Sequence, residues 1–203
     1  MKTILHLLFL SIAANLDNLG VGVAYGVKRI KVPPLSNLII AVIAFIFGCV
    51  SVFTGSWIGR FLNDTTANTI GAILIIGVGL WMMRPKKLQF ILERNPLRSE
   101  TSLIIKILHE PEVADSDHSA LISWQESILL GVALSLNVCT NGISAGLWRL
   151  NAIYTALCMA IFSYITIAFG IILGLRYGSR WLGNKATFAA GILLILIGIR
   201  QLI

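Results

Sequence analysis

The amino-acid sequence predicts an all-α membrane protein in which six transmembrane helices form two inverted three-helix repeats. Three observations carry that expectation. Of the 203 residues, 57% are hydrophobic and only 12% are charged, far from the balance of a water-soluble domain. Six apolar stretches are each long enough to cross a hydrocarbon core of about 30 Å, a crossing that takes roughly 20 helical residues. The second half of the chain also repeats the residue pattern of the first.

The six stretches are residues 4–27, 36–59, 67–83, 124–147, 152–175 and 186–202, the third and sixth being the shortest. The opening "MKTILHLLFLSIAAN" has the basic start and apolar centre of a signal peptide. Its apolar run continues past Ala14, however, and a related segment recurs inside the chain, so it is expected to stay as a span. The net charge of +7 follows from topology. Assigned to alternate sides of six spans, twelve of the sixteen Lys and Arg residues fall on one side, leaving Lys2, Arg60, Arg149 and Arg200 on the other. The rich side is then cytoplasmic and both termini face out. Cys49, Cys139 and Cys158 all fall inside predicted spans, an odd set that makes no disulfide framework and reads as small apolar packing residues.

The repeat is visible when "ANLDNLGVGVAYGV" is placed over "LSLNVCTNGISAGL", which pairs Leu16 with Leu136, Asp17 with Asn137, Gly22 with Gly142 and Gly26 with Gly146. The second and fifth stretches then pair Ser51 with Thr166, Gly55 with Gly170 and Gly59 with Gly174, and the third and sixth pair Gly79 with Gly198. A repeat of three spans enters the membrane in opposite senses in its two copies. The expected units are residues 1–84 and 124–203, separated by a polar cytoplasmic loop at 85–123. Inverted repeats of this kind are common in secondary transporters, with the substrate near the midplane. The matched glycines also have a packing role, since small residues four apart let helices approach closely in lipid.

Asp17 stands near the centre of its stretch with no Lys or Arg at that depth in any other. An ionised carboxylate there costs about 2.5–3.5 kcal/mol on insertion scales, so it is protonated, hydrated or holding a cation. Asn18 follows it, and Asn137, Asn141 and Ser144 share one face of the fourth stretch. Carboxylate, amide and hydroxyl oxygens suit hard cations such as Mg²⁺, Ca²⁺ or Mn²⁺. The competing reading is that the amides are interhelical hydrogen bonds and Asp17 is protonated and bonded to one of them.

In the loop, "DSDHSALISWQE" (115–126) matches much of an EF-hand calcium loop. Asp115, Asp117 and Ser119 take positions one, three and five, and Glu126 takes the twelfth, while Ala120 stands where glycine is usual. The same "SWQE" reads as a capping box opening the fourth span. Residues 102–110 have the pattern of a short helix lying on the membrane face. No nucleotide site, no nucleophile with a base and no nucleic-acid surface is recognisable, so the chain is not expected to be an enzyme.

Together, "LDNLGVGVAYGVKRIKVP", "ILHEPEVADSDHSALISWQESILLGVALSLN" and the inverted three-plus-three pattern resemble the YtaF-type sporulation membrane proteins. That group is related to the MntP-type manganese exporters and is similar in fold to the LysE-like transporters. The loop motif is the most specific part and favours the YtaF type. The resemblance implies a multi-pass cell-membrane protein of a spore-forming bacterium. Exporters of the group carry acids in the first, second and fourth spans. Here the first is matched by Asp17, but the second-span position after "FG" is Ser51 and the fourth-span position is Asn137.

Two functions follow. One is a secondary transporter exporting a cation such as Mn²⁺ through a midplane site at Asp17, Asn18, Ser51, Asn137, Asn141 and Ser144. The other is a non-transporting sporulation membrane protein that works through its cytoplasmic loop, with Ca²⁺ held by Asp115, Asp117, Ser119 and Glu126. No cofactor is expected beyond a bound divalent cation, Mn²⁺ or Ca²⁺. The expected partners are the lipid bilayer and a small cation, not nucleic acid, and a homo-oligomer is left open.

Overall fold

Helices α1 (Lys2–Ala14) and α2 (Leu16–Lys28) fill the first apolar stretch, with Asn15 between them at φ −116° and ψ 5°. The continuous helix expected there is therefore broken near its middle. The computed structural model describes residues 2–82, 107, 111–117, 119–177, 192, 195–197 and 199. Helix α3 spans Pro34–Gly59 and starts on proline, whose missing N–H is not needed in a first turn. Helix α4 (Asp64–Met82) begins before its apolar run, with Asp64 at the positive end of the helix dipole. A 3-10 turn at Pro111–Ala114 precedes α5 (Trp124–Leu147) and α6 (Ala152–Tyr177).

Among the described residues, four segments are long and apolar enough to cross a membrane: Leu7–Lys28, Pro34–Gly59, Trp124–Leu147 and Ala152–Arg176. The chain is a helical multi-pass membrane protein, and the described residues contain no strand beyond an isolated bridge between Lys31 and Leu121. The expected span at 186–202 and the expected helix at 102–110 lie largely outside the described residues.

Packing is organised by glycine, because in lipid close backbone contact replaces hydrophobic drive. Helix α2 lies on α6, where a Cβ on Gly22 would meet the Ile167 carbonyl oxygen and one on Gly26 that of Ile171. Helix α5 lies on α3, where a Cβ on Gly146 would meet the Val52 carbonyl and one on Gly55 the carbonyl of Ile143. Gly59 is the exception among the glycines of α2, α3, α5 and α6 that pair in the repeat, with Leu147 Cα no nearer than 3.7 Å.

Helices α2 and α5 end alike. Arg29 (φ 58°) donates to the Gly26 carbonyl at 3.1 Å and Ile30 to that of Tyr25 at 2.9 Å. Arg149 (φ 55°) donates to Gly146 at 2.9 Å and Leu150 to Ala145 at 3.0 Å. Both are Schellman motifs, and in each an arginine takes the left-handed residue that glycine usually supplies. The aliphatic residue after it, Ile30 or Leu150, is buried in the core and secures the strained position.

One apolar cluster joins Val21 and Tyr25 of α2 to Ile40, Leu130, Ala133, Leu134 and Ile167, and it includes Ile107, Ala114 and Ile122 of the loop. The loop is pinned there by its backbone: Lys31 donates to the Ala120 carbonyl at 2.8 Å and Ile122 to the Lys31 carbonyl at 2.9 Å. The Ser36 hydroxyl adds a bond to the Ile122 carbonyl at 2.8 Å.

Candidate functional site

The break at Asn15 frees carbonyls of α1 that an unbroken helix would have satisfied, and amides now meet them. Asn15 Nδ2 donates to the Ser11 carbonyl at 2.8 Å and to the Met159 carbonyl of α6 at 3.1 Å. Asn137 of α5 donates through Nδ2 to the Ala14 carbonyl at 3.0 Å and to Asp17 Oδ2 at 3.2 Å. Asp17 thus lies in the first turn of α2, beside the broken backbone, and meets its repeat counterpart Asn137 directly. Asn141 continues the chain by donating to Asn137 Oδ1 at 3.2 Å and to its carbonyl at 2.9 Å.

The other expected residues divide. Asn18 directs its Nδ2 to Asn15 Oδ1 and to the Ser163 hydroxyl, both at 3.0 Å, facing α6 rather than α5. Ser51 donates back to the Gly48 carbonyl at 3.0 Å and packs on Gly142, next to Asn141. Ser144 donates to the Thr140 carbonyl of its own helix at 3.2 Å, and no hydrogen bond joins it to Asp17. Asn15, Ser11 and Ser163 also belong to the polar cluster, although no motif in the sequence points to them. The signal for Asn15 was a second amide two residues before the acid.

Most of these groups are buried, and three oxygens of the cluster accept nothing among the described residues, Asp17 Oδ1, Asn18 Oδ1 and Asn141 Oδ1, with Ser11 Oγ likewise unpartnered. A buried polar oxygen without a partner is costly, so each is a place where water or a cation would be favoured. On the loop side, Val21, Tyr25, Leu134 and Ile167 share one apolar cluster with Ile107, Ala114 and Ile122 of the loop. At the opposite end a cleft of about 370 Å³ is lined by Ser56, Arg60 and Arg149, the last paired with Asp64 at 2.7 Å.

The loop carboxylates also converge. Oxygens of Asp115, Asp117 and Glu126 lie within 4.8 Å of one another. Asp115 accepts the amides of Ser119 and Ala120, each at 3.1 Å, and Asp117 accepts that of Ser119 at 2.9 Å. Hydrogen bonding from Ser119 holds the Asp117 carboxyl below the usual range. The folded loop therefore favours the carboxylate, and that contribution, complete at neutral pH, is lost as pH falls through the lowered pKa. Ala120, at the sixth loop position, takes φ 59°, the conformation for which glycine is usual. Glu126 accepts from Ser116 through one oxygen and from Ser123 through the other, and Ser123 accepts from Glu126 in return, so the capping box is present. Ser123→Ala is expected to lower stability by about 1 kcal/mol, measured by thermal unfolding in detergent.

The chain matches the family described as "Putative manganese efflux pump" over residues 1–83 and 101–202. It is similar to the "Probable sporulation protein YtaF" of Bacillus subtilis (strain 168), 31% identical over 97% of this chain and 98% of that one. It is also similar to the "Putative manganese efflux pump MntP" of Pelotomaculum thermopropionicum, 26% identical over 96% of each chain, and to that of Bacillus cereus (strain AH820), 24% identical over 98% and 95%. No solved structure matches. The chain therefore belongs to the "Putative manganese efflux pump" family, a family of membrane efflux transporters and not of enzymes.

Proposed function

We propose that the protein exports a cation by alternating access of two inverted three-helix repeats, 1–84 and 124–203, around Asp17. The observation that carries this reading is the hydrogen bond between Asp17 and Asn137, positions that correspond in the two halves. The reciprocal glycine contacts of α2 with α6 and of α5 with α3 support it, as do the two matching helix ends 120 residues apart. Six spans then put the loop in the cytoplasm and both termini outside, in line with the distribution of Lys and Arg. The apolar cluster that packs α2 against the loop would help to close the site to the cytoplasm, and a broken helix beside the site matches the way secondary transporters hold ions.

Its relatives' description as manganese efflux pumps makes Mn²⁺ the first cation to assay. The purified chain in liposomes should accumulate a cation faster than protein-free vesicles, and a panel of Mn²⁺ and alkali ions without any flux would remove the reading. A second reading has its own observation, the convergence of three carboxylates on a loop whose sixth residue is left-handed. Under it the loop binds Ca²⁺ and the fold need not transport. Calcium should then slow protease cleavage within 85–123, and Asp115→Ala with Asp117→Ala should remove that protection. Equal cleavage with and without calcium in the parent would leave the loop as a linker with a helix cap.

A further inference from the structure

We infer that the cation accepted at the midplane is monovalent, an alkali-metal ion, and not a divalent one; this rests on the reading of Asp17 as the transport site. The first support is a charge count over the whole sequence. Of nine acids, Asp17 alone stands in the middle of an apolar stretch. Asp64 and Glu126 occupy the first turns of α4 and α5, and the other six lie within 85–123. No Lys or Arg stands at the depth of Asp17 either. The site therefore has a formal charge of −1 from one carboxylate. A monovalent ion brings it to zero, whereas a divalent ion leaves an unpaired positive charge in low-dielectric surroundings with no second acid to meet it.

The second support is the donor set. Asn18 and Asn141 are 2% and 0% exposed, and the amide oxygen of each is unpartnered, as is Asp17 Oδ1. Asn141 is joined to Asp17 through Asn137, and a neutral amide oxygen there solvates a cation without adding charge. The divalent site of an EF-hand loop, by contrast, gathers several carboxylates around its ion. The third is the occupant of the repeat-related position. Asn137 places an N–H donor between the Ala14 carbonyl and Asp17 Oδ2, which satisfies that oxygen, contributes no negative charge and leaves Oδ1 for the ion.

The test uses the full chain in liposomes, with uptake of radiolabelled sodium and rubidium measured beside Mn²⁺ at equal concentration, for the parent, Asp17→Asn and Asn137→Asp. The parent should move at least one alkali ion about tenfold or more faster than Mn²⁺, a margin that corresponds to one decade in an equilibrium constant. Asp17→Asn should lose that flux. Asn137→Asp, which adds the second carboxylate, should shift the preference towards Mn²⁺ by about tenfold or more. Should that variant not fold, the parent in detergent supplies the same distinction: sodium or potassium should raise its unfolding temperature relative to choline, Mn²⁺ should not, and Asp17→Asn should respond to neither. Faster Mn²⁺ than alkali flux in the parent, lost in Asp17→Asn, would overturn the monovalent assignment and leave the transport reading standing. Alkali flux that survives Asp17→Asn also overturns the assignment. No flux of any cation from a protein that elutes as one species and unfolds cooperatively would end both.

Discussion

Replacing Asp17 with asparagine is expected to reduce cation flux to that of protein-free vesicles while leaving the protein at least as stable as the parent. The two side chains have the same shape, and the oxygen of the substituted amide could still accept the Asn137 N–H that reaches Asp17 at 3.2 Å. What is lost is the single negative charge, and with it the reason for a cation to leave water. What is gained is relief from holding an acid at that depth, a cost of about 2.5–3.5 kcal/mol when ionised. Flux in liposomes and thermal unfolding in detergent read the two effects separately. Unchanged flux with unchanged stability would make Asp17 a protonated helix contact. A collapse of stability would mean that its hydrogen bonds, not its charge, are what the fold needs.

The second large effect is structural. Gly146→Ala and Gly26→Ala should each destabilise the protein by about 1–3 kcal/mol, because the added methyl is driven into a backbone carbonyl of the facing helix and overpacking of a tight contact costs about that much. Gly59→Ala should stay within about 1 kcal/mol of the parent, in contrast to Gly174→Ala, its counterpart in the repeat. At Gly59 the nearest atom, Leu147 Cα, is 3.7 Å away, ordinary contact, whereas at Gly174 the Val23 carbonyl stands in the way. Thermal unfolding of the four variants in one detergent decides it. Equal losses at Gly59 and Gly174 would show that the small-residue pattern, not local approach, governs packing.

Residue pattern alone made the helix limits legible where apolar runs end at strong signals. The range 124–147 agrees with α5 because Ser123 and Glu126 form the box that starts it and the apolar run stops at the Schellman turn. The pairing of Asp17 with Asn137 was legible for a different reason, since a repeat register puts corresponding residues in corresponding places. The break at Asn15 was not. No proline or glycine lies between Leu10 and Leu19, and what holds the break open is an amide from α5 and a carbonyl from α6, both more than 120 residues away in the chain. Asn18 faces α6 for the same reason: its partner Ser163 is brought there by the Gly22 and Gly170 contact.

By itself, then, the sequence determined the membrane class, the long apolar helices, the two-fold repetition of residue pattern and the presence of one acid inside an apolar stretch, all of which depend on local composition and register. Tertiary structure decided the interruption of the first span, which amides meet Asp17 and which turn to α6, and how closely each glycine pair approaches. It also set Ala120 in a left-handed turn by tying the adjacent backbone to Lys31. Those are contacts between distant segments, and their energies depend on distances of a few tenths of an ångström that no residue pattern encodes.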